Sequence, residues 1–349
     1  LKETPLSTRK EIKPLFTLGQ AVLILIILNI ILFIVSLSLG RYKIDPITVL
    51  KAILSKIFPL KQTFDDTVKT VIFDIRFPRV IAALLIGASL SESGAAYQGI
   101  FDNPLVSPFI LGLSSGAGFG AALAILMGGN YLLIELFAFI FSIIAVILTI
   151  FISRSQKNSN SVTLVLSGFI VSSLFTSLIS FLKYYADPYT KLPSIVYWLM
   201  GSLSQISIKD VMFVSPFIIV SIILLYLLRW KLNILSLGSE EATLLGENPT
   251  RLRFIIIFLS TLLTSLCVSI SGVIGWVGLV IPHLGRMLVG PDFRKLLPVS
   301  TLLGAFYLLL IDDLSRSISS SEIPIGILTA LVGAPFFIYL MRHGKYRWS

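Results

Sequence analysis

Few residues in this chain could do covalent chemistry. Gly112-Leu113-Ser114-Ser115-Gly116 fits the G-x-S-x-G pattern of a serine nucleophile, which needs a base within hydrogen-bond reach and an oxyanion hole. The one histidine inside an apolar run is His283; the other, His343, lies near the C-terminus. Against catalysis, Gly112, Gly116 and Gly120 fall at i, i+4 and i+8, the small-xxx-small spacing that lets helix backbones approach closely. Neither histidine has a second ligand at metal spacing, so no metal site is expected. His283 and Arg286 read instead as the polar end of a membrane segment. Cys267 is the single cysteine and lies in an apolar run, so there is no disulfide framework. No G-x-x-x-x-G-K-[ST] occurs; the Gly344-Lys345 pair is followed by Tyr346. If ATP drives this protein, another chain hydrolyses it.

Two polar patterns remain. Ser172, Ser173, Thr176, Ser177 and Ser180 recur at three- and four-residue spacing. Such hydroxyls can bond their own helix carbonyls and serve as packing, or line a path that must not grip its cargo. The second pattern is Leu237-Gly238-Ser239-Glu240-Glu241-Ala242-Thr243-Leu244-Leu245-Gly246-Glu247-Asn248-Pro249. It reads as a short helix with Ser239 as N-cap and Gly246 as its stop. A second turn starts near Asn248, with Pro249 first. Anionic lipid would repel Glu240, Glu241 and Glu247, so this segment is expected to dock on a protein rather than lie in headgroups.

The elements that must position these residues follow from composition. Of 349 residues, 55% are hydrophobic and 13% charged, whereas soluble domains are about a quarter charged. The net charge of +10 resides in loops, where Lys and Arg orient spans and meet anionic lipid; a nucleic-acid partner is not expected. Ten apolar segments fall at about 18–39, 80–100, 108–127, 131–152, 162–182, 211–228, 254–271, 273–289, 297–314 and 323–340, each near the ~20 residues a span needs. The eighth is interrupted by Gly275, Gly278 and Pro282, which suits a broken helix packed inside protein. The fold class is therefore all-α, a polytopic membrane protein of about ten transmembrane helices in one domain over residues 1–349. Residues 2–14 are polar and the first apolar run has full span length, so no cleavable signal is expected.

Ten spans put both termini on one side. With the termini inside, the inner segments hold sixteen Lys and Arg and the outer ones twelve, eight of them in the loop 40–79. The positive-inside rule thus favours cytoplasmic termini, and the basic outer loop needs its own explanation. Five spans precede Ile206 and five follow, so a repeat of two five-helix halves would have to be inverted. Ser93-Gly94 before Asn103-Pro104, and Ser271-Gly272 before Gly278-Leu279, give such a repeat a faint echo.

From Arg76 to Met341 the chain resembles a known family, the FecCD-type permeases for iron–siderophore, haem and cobalamin uptake. The carrying segments include Arg76-Phe77-Pro78-Arg79, Ser93-Gly94-Ala95, Asn103-Pro104-Leu105, Gly278-Leu279-Val280-Ile281-Pro282-His283, Glu322-Ile323-Pro324-Ile325-Gly326 and Gly333-Ala334-Pro335. The resemblance implies a cytoplasmic-membrane permease subunit paired with a second copy. Two ATPase subunits, which hold the ATP and Mg, sit below it. A periplasmic or lipid-anchored substrate-binding protein docks above. It implies docking roles for Arg76, Arg79 and Arg316, whose basic loop then meets acidic partner residues. It makes Ser239, Glu240, Glu241, Ala242, Gly246, Glu247, Asn248 and Pro249, within 237–250, the ATPase-coupling segment. It places Ser172, Ser173, Thr176, Ser177 and Ser180 along the translocation pathway. Transport would proceed by alternating access, with no catalytic residue and no cofactor in this chain. The expected cargo is an iron–siderophore, then haem or cobalamin, with molybdate as an oxyanion alternative.

Two features depart from the family pattern. The stretch from Arg316 to Glu322 is one residue short, and Glu92 stands in the second span in place of a small or apolar residue. Glu92 is either packed neutral beside Ser89, Ser91 or Ser93, or faces the pathway near its inner gate. A stand-alone secondary transporter and an intramembrane serine protease are the rival functions.

Overall fold

The computed structural model describes residues 15–40, 42–57, 65–154, 161–319 and 321–343. The polar stretch 2–14, residues 58–64 of the outer loop and the Gly344-Lys345 pair lie outside the described residues.

Each of the ten apolar segments is a helix or contains one. In chain order the helices are α1 (Leu18–Ser38), α2 (Pro46–Ile57), α3 (Asp66–Thr70), α4 (Phe77–Phe101), α5 (Leu113–Leu126), α6 (Tyr131–Arg154), α7 (Ser161–Tyr185), α8 (Lys191–Leu199), α9 (Ile208–Leu227), α10 (Arg229–Leu235), α11 (Ser239–Leu244), α12 (Pro249–Ser271), α13 (Val277–Val289), α14 (Phe293–Ser317) and α15 (Ile325–His343). Six of them (α1, α6, α7, α9, α12 and α14) are long and apolar enough to cross a membrane on length and composition alone. The other spans are α4, which carries Ser89, Ser91, Glu92 and Ser93, and the shorter α5, α13 and α15. The side on which α1 begins and α15 ends is called the near side below, and the opposite side the far side.

Local chemistry sets the helix starts. Thr17 and Gln20 form a capping box on α1, and Ser207 and Asp210 form one on α9. Asn248 caps α12 by accepting from the Arg251 amide at 3.0 Å, with Pro249 in the first position. The described part of the loop 40–79 is largely helical. It holds α2 and α3, then a π-helical turn, Val71–Arg76, that runs directly into α4.

The centre of the bundle is α4, buried almost throughout and packed on α14, α12, α13 and α9. Glycines set these approaches. A Cβ on Gly87 would strike the Gly304 carbonyl of α14, and one on Gly94 would strike the Gly278 carbonyl of α13. On the other side, Gly116 and Gly120 of α5 lie against the Phe141 and Phe137 carbonyls of α6. The G-x-S-x-G stretch is thus a packing surface and not a nucleophile elbow. Gly112, at φ +81°, caps α5 from a 3₁₀ turn, Pro108–Leu111, and the Ser115 hydroxyl donates to the Gly112 carbonyl at 3.0 Å.

Of the residues expected to interrupt the eighth span, Gly275 lies in the break. Residues 272–276 are non-helical, with Gly272 at φ +67° and Trp276 at φ +68°, while α13 runs through Gly278 and Pro282. Irregular backbone at this depth must be covered by protein. Gly201, Gly326 and Gly333 provide that cover, each so close that a Cβ would strike Val273, Met200 or Trp276. The third span of each half, α5 and α13, is therefore short and preceded by non-helical chain. This correspondence fits an inverted repeat better than the sequence echo did, because Ser93-Gly94 lies mid-helix in α4 whereas Gly272 ends α12.

Candidate functional site

The hydroxyl stripe lies on the bare face of α7. Ser173, Thr176, Ser177 and Ser180 are exposed and Ser172 is half-buried. Ser177 donates to the Ser173 carbonyl and Ser180 to the Thr176 carbonyl, each at 3.0 Å. The packing role for these hydroxyls is thus met within the helix, but their remaining lone pairs face outward. Among the described elements, α7 packs on α5, α6 and the 3₁₀ turn before α5; its opposite face, with Phe169, Leu174 and Phe181, is open. A row of outward hydroxyls in a membrane is better placed against water or a partner chain than against lipid.

The far-side end of this face is closed by a turn. Asp187 accepts from the Thr190 hydroxyl at 2.7 Å and from the Thr190 amide at 2.8 Å. These bonds hold its carboxyl below the usual range. The chain then enters α8, flanked by the exposed Tyr184, Tyr185 and Tyr189. From Met200 onward α8 is tied to α15: the Ile325 amide donates to the Gly201 carbonyl and the Gly326 amide to the Met200 carbonyl, both at 3.0 Å.

Glu92 does not join this face. It is 1% exposed, inside the contact of α4 with α14, where Thr301 donates to Oε2 at 2.9 Å. Its Oε1 has no hydrogen-bond partner among the described residues. Of the two expectations for Glu92, packed or facing the pathway, the packed placement is the one seen in this structure, because α4 turns this residue toward α14. Its partner is Thr301, not the neighbouring serines. Ser89, Ser91 and Ser93 instead donate to the carbonyls of Leu85, Ser300 and Ser260.

The three docking arginines are also withdrawn from the surface. Arg76, Arg79 and Arg316 are 5%, 7% and 7% exposed. Arg79 donates through Nε to Asp312 at 2.8 Å and through Nη1 to both oxygens of Glu322 at 2.9 and 3.0 Å. Arg316 pairs with Asp313 and Asp312 and donates to the Ser36 and Leu39 carbonyls at 2.9 and 3.2 Å. Arg76 donates to the carbonyls of Leu37, Ser38 and Tyr42. Arg79 and Arg316 thus meet three acids, Asp312, Asp313 and Glu322, while Arg76 is held by backbone carbonyls alone, at the far-side ends of α1, α4 and α14. Among the described residues of this region, the exposed bases are Lys43, Lys51 and Lys56. Asp312 and Asp313 went unremarked in the sequence, although an acid pair inside a span calls for a partner.

On the near side the coupling segment folds much as its sequence suggested, with one correction. Gly238, at φ +119°, occupies the N-cap position, and Ser239 is the first helical residue. Gly246, at φ +83°, ends the turn, with the Glu247 amide donating to the Ala242 carbonyl at 3.0 Å. Ala242 is buried, Glu247 pairs with Lys231 at 3.0 Å, and Glu240, Glu241, Leu244 and Leu245 are exposed. Leu244 is 87% exposed; with its acidic rim this tip has the make-up of a protein contact.

Comparison with known proteins identifies the family of the chain. A model described as the FecCD transport family matches residues 26–343. The Haemophilus influenzae molybdate import system permease protein MolB is 44% identical over 324 residues, covering 92% of this chain and 95% of that one. The Bacillus subtilis Fe(3+)-citrate import system permease protein YfmE is 36% identical over 341 residues, covering 96% and 97%. A solved chain described as an inward-facing conformation of an ABC transporter, assigned to the metal-chelate type, superposes with a TM-score of 0.84 at 41% identity, covering 93% of this chain and 99% of that one.

Proposed function

The chain belongs to the FecCD transport family, as a permease subunit of an ATP-binding-cassette importer and not an enzyme, and on that premise we propose that it passes an anionic or neutral metal complex along the hydroxyl-bearing face of α7. Family membership brings an ATPase and a substrate-binding protein as partners. In our reading two copies pair across the α7 faces, two ATPases bind below, both termini are cytoplasmic, and the path opens alternately to each side.

The observation that carries this reading is the outward row Ser173, Thr176, Ser177 and Ser180 on a helix face that no described element covers. No ionisable residue stands between Ser172 and Ser180, so nothing there would hold a charged cargo tightly. Ferric chelates lead as cargo. A molybdate-type oxyanion is the second reading, favoured by the 44% identity with a molybdate permease. ATP-dependent uptake into proteoliposomes holding permease, ATPase and binding protein, with labelled ferric chelate and labelled molybdate offered in parallel, separates the two. Equal, ATP-independent leakage of both would refute the importer reading of the path.

The segment from Ser239 to Pro249 is proposed to seat in the ATPase, with Leu244 and Leu245 as its apolar anchor. For the binding protein, the exposed lysines Lys43, Lys51 and Lys56 supply long-range attraction. Of the three arginines, Arg79 is the one a partner can reach, by exchange: Glu322 is 28% exposed, and a partner carboxylate can replace it.

A further inference from the structure

A cavity of about 140 Å³ opens at the near side between the ends of α4 and α6 and the beginnings of α7 and α12. It has room for more than one water. Its polar lining is Ser153, Arg154, Thr250 and Arg253; its apolar lining includes Ile100, Leu164 and Ile257. No acid among the described residues lines it, and Glu247, the acid nearest to Thr250 in sequence, is engaged by Lys231. Neither arginine forms an ion pair with a described residue. The Arg253 Nε is buried without a hydrogen-bond partner among the described residues, while the Arg154 guanidinium lies 6.0 Å above the Phe254 ring. A buried guanidinium N–H left without an acceptor, as at Arg253, is costly, and that group together with the exposed Arg154 guanidinium at the cavity rim, beside hydroxyls and aliphatic walls, matches a phosphate attached to an apolar body.

We propose that this cavity binds a phosphate anion, carried in the membrane by the headgroup of an acidic phospholipid, with Arg154 and Arg253 as its ligands and the aliphatic wall against the glycerol and upper acyl chain. The proposal uses only the membrane placement of the chain and is independent of the path and coupling assignments. Two sources share this chemistry, a lipid headgroup and free phosphate from solution.

The test is native mass spectrometry of the full-length protein offered phosphatidylglycerol and phosphatidylcholine. Wild type is expected to retain phosphatidylglycerol about tenfold better, the worth of one or two charge-assisted bonds. Arg154→Gln with Arg253→Gln should bring retention down to the phosphatidylcholine level. So should Leu164→Trp, which fills the cavity and keeps both charges. Inorganic phosphate at millimolar concentration should leave bound phosphatidylglycerol in place; its displacement would assign the same site to free phosphate. Equal retention of the two lipids by wild type overturns the proposal without reference to any variant. So does a Leu164→Trp protein that keeps the preference, since the arginines would then attract lipid as a surface and not as a cavity.

Discussion

Arg79 of α4 donates to Asp312 of α14 at 2.8 Å, and both side chains are buried. A buried pair is weak support for stability as a pair, but removing one partner strands the other charge and costs about 3–5 kcal/mol. Asp312→Ala leaves Arg79 with only the half-open Glu322 and Arg316 with only Asp313, so it should lower the melting temperature of the purified permease sharply. Glu322→Ala, at the half-open end of the same cluster, should cost no more than about 1 kcal/mol. Equal melting of both variants and wild type would show that the cluster contributes nothing.

The exchange reading of docking predicts the opposite signs for two substitutions. Glu322→Gln weakens the internal competitor for Arg79 and should tighten binding-protein association about threefold, whereas Arg79→Gln should loosen it about tenfold. Association measured by surface plasmon resonance at two salt concentrations checks this. Loss of affinity in Glu322→Gln would mean that Glu322 itself meets the partner.

Glu92→Gln keeps the shape and the Thr301 contact. Because Glu92 is packed against α14 and away from the bare face of α7, uptake and ATP hydrolysis should stay within about twofold of wild type between about pH 5.5 and 8. A pH-dependent loss of uptake in proteoliposomes would return Glu92 to the pathway.

Gly246→Trp places a bulky ring at the coupling tip, on a residue at φ +83° with open space around its would-be Cβ. The backbone strain alone is about 1–2 kcal/mol, and the ring would block the contact surface. Stimulated ATP hydrolysis should fall about tenfold while the isolated permease melts within a few degrees of wild type. Co-purification with the ATPase reads out the same contact.

Ser177→Phe narrows the α7 face without touching the core. Uptake should fall about tenfold, with basal ATP hydrolysis and binding-protein affinity unchanged. Unchanged uptake would place the path elsewhere.

The bundle was legible because its rules are periodic and local. Span-length apolar runs give the ten helices, and the Gly116–Gly120 spacing announced a helix contact that α6 fills. The Asn248-Pro249 start of α12 was likewise readable from its residues. What was not legible depends on distance along the chain. Asp312 finds Arg79 233 residues away and Asp313 finds Ser36 277 residues away, and no local pattern announces either. For the same reason the arginines looked like free surface charge. The break before α13 was only partly readable: Gly275 lies in it, while Gly278 and Pro282, the conspicuous helix breakers, are tolerated inside α13. The chain actually departs from helix at Gly272 and Trp276, where left-handed backbone is required.

The tie between α8 and α15 has one further consequence. Two amide hydrogens, those of Ile325 and Gly326, bridge the end of α8, which lies at the far-side mouth of the proposed path, to the first turn of the last helix. While α8 and α15 travel together, those hydrogens stay shielded from deuterium; if the mouth opens by swinging α8 alone, they are the first to exchange. A pair of backbone protons therefore serves as a clock on the opening of the mouth, readable without any label on the cargo.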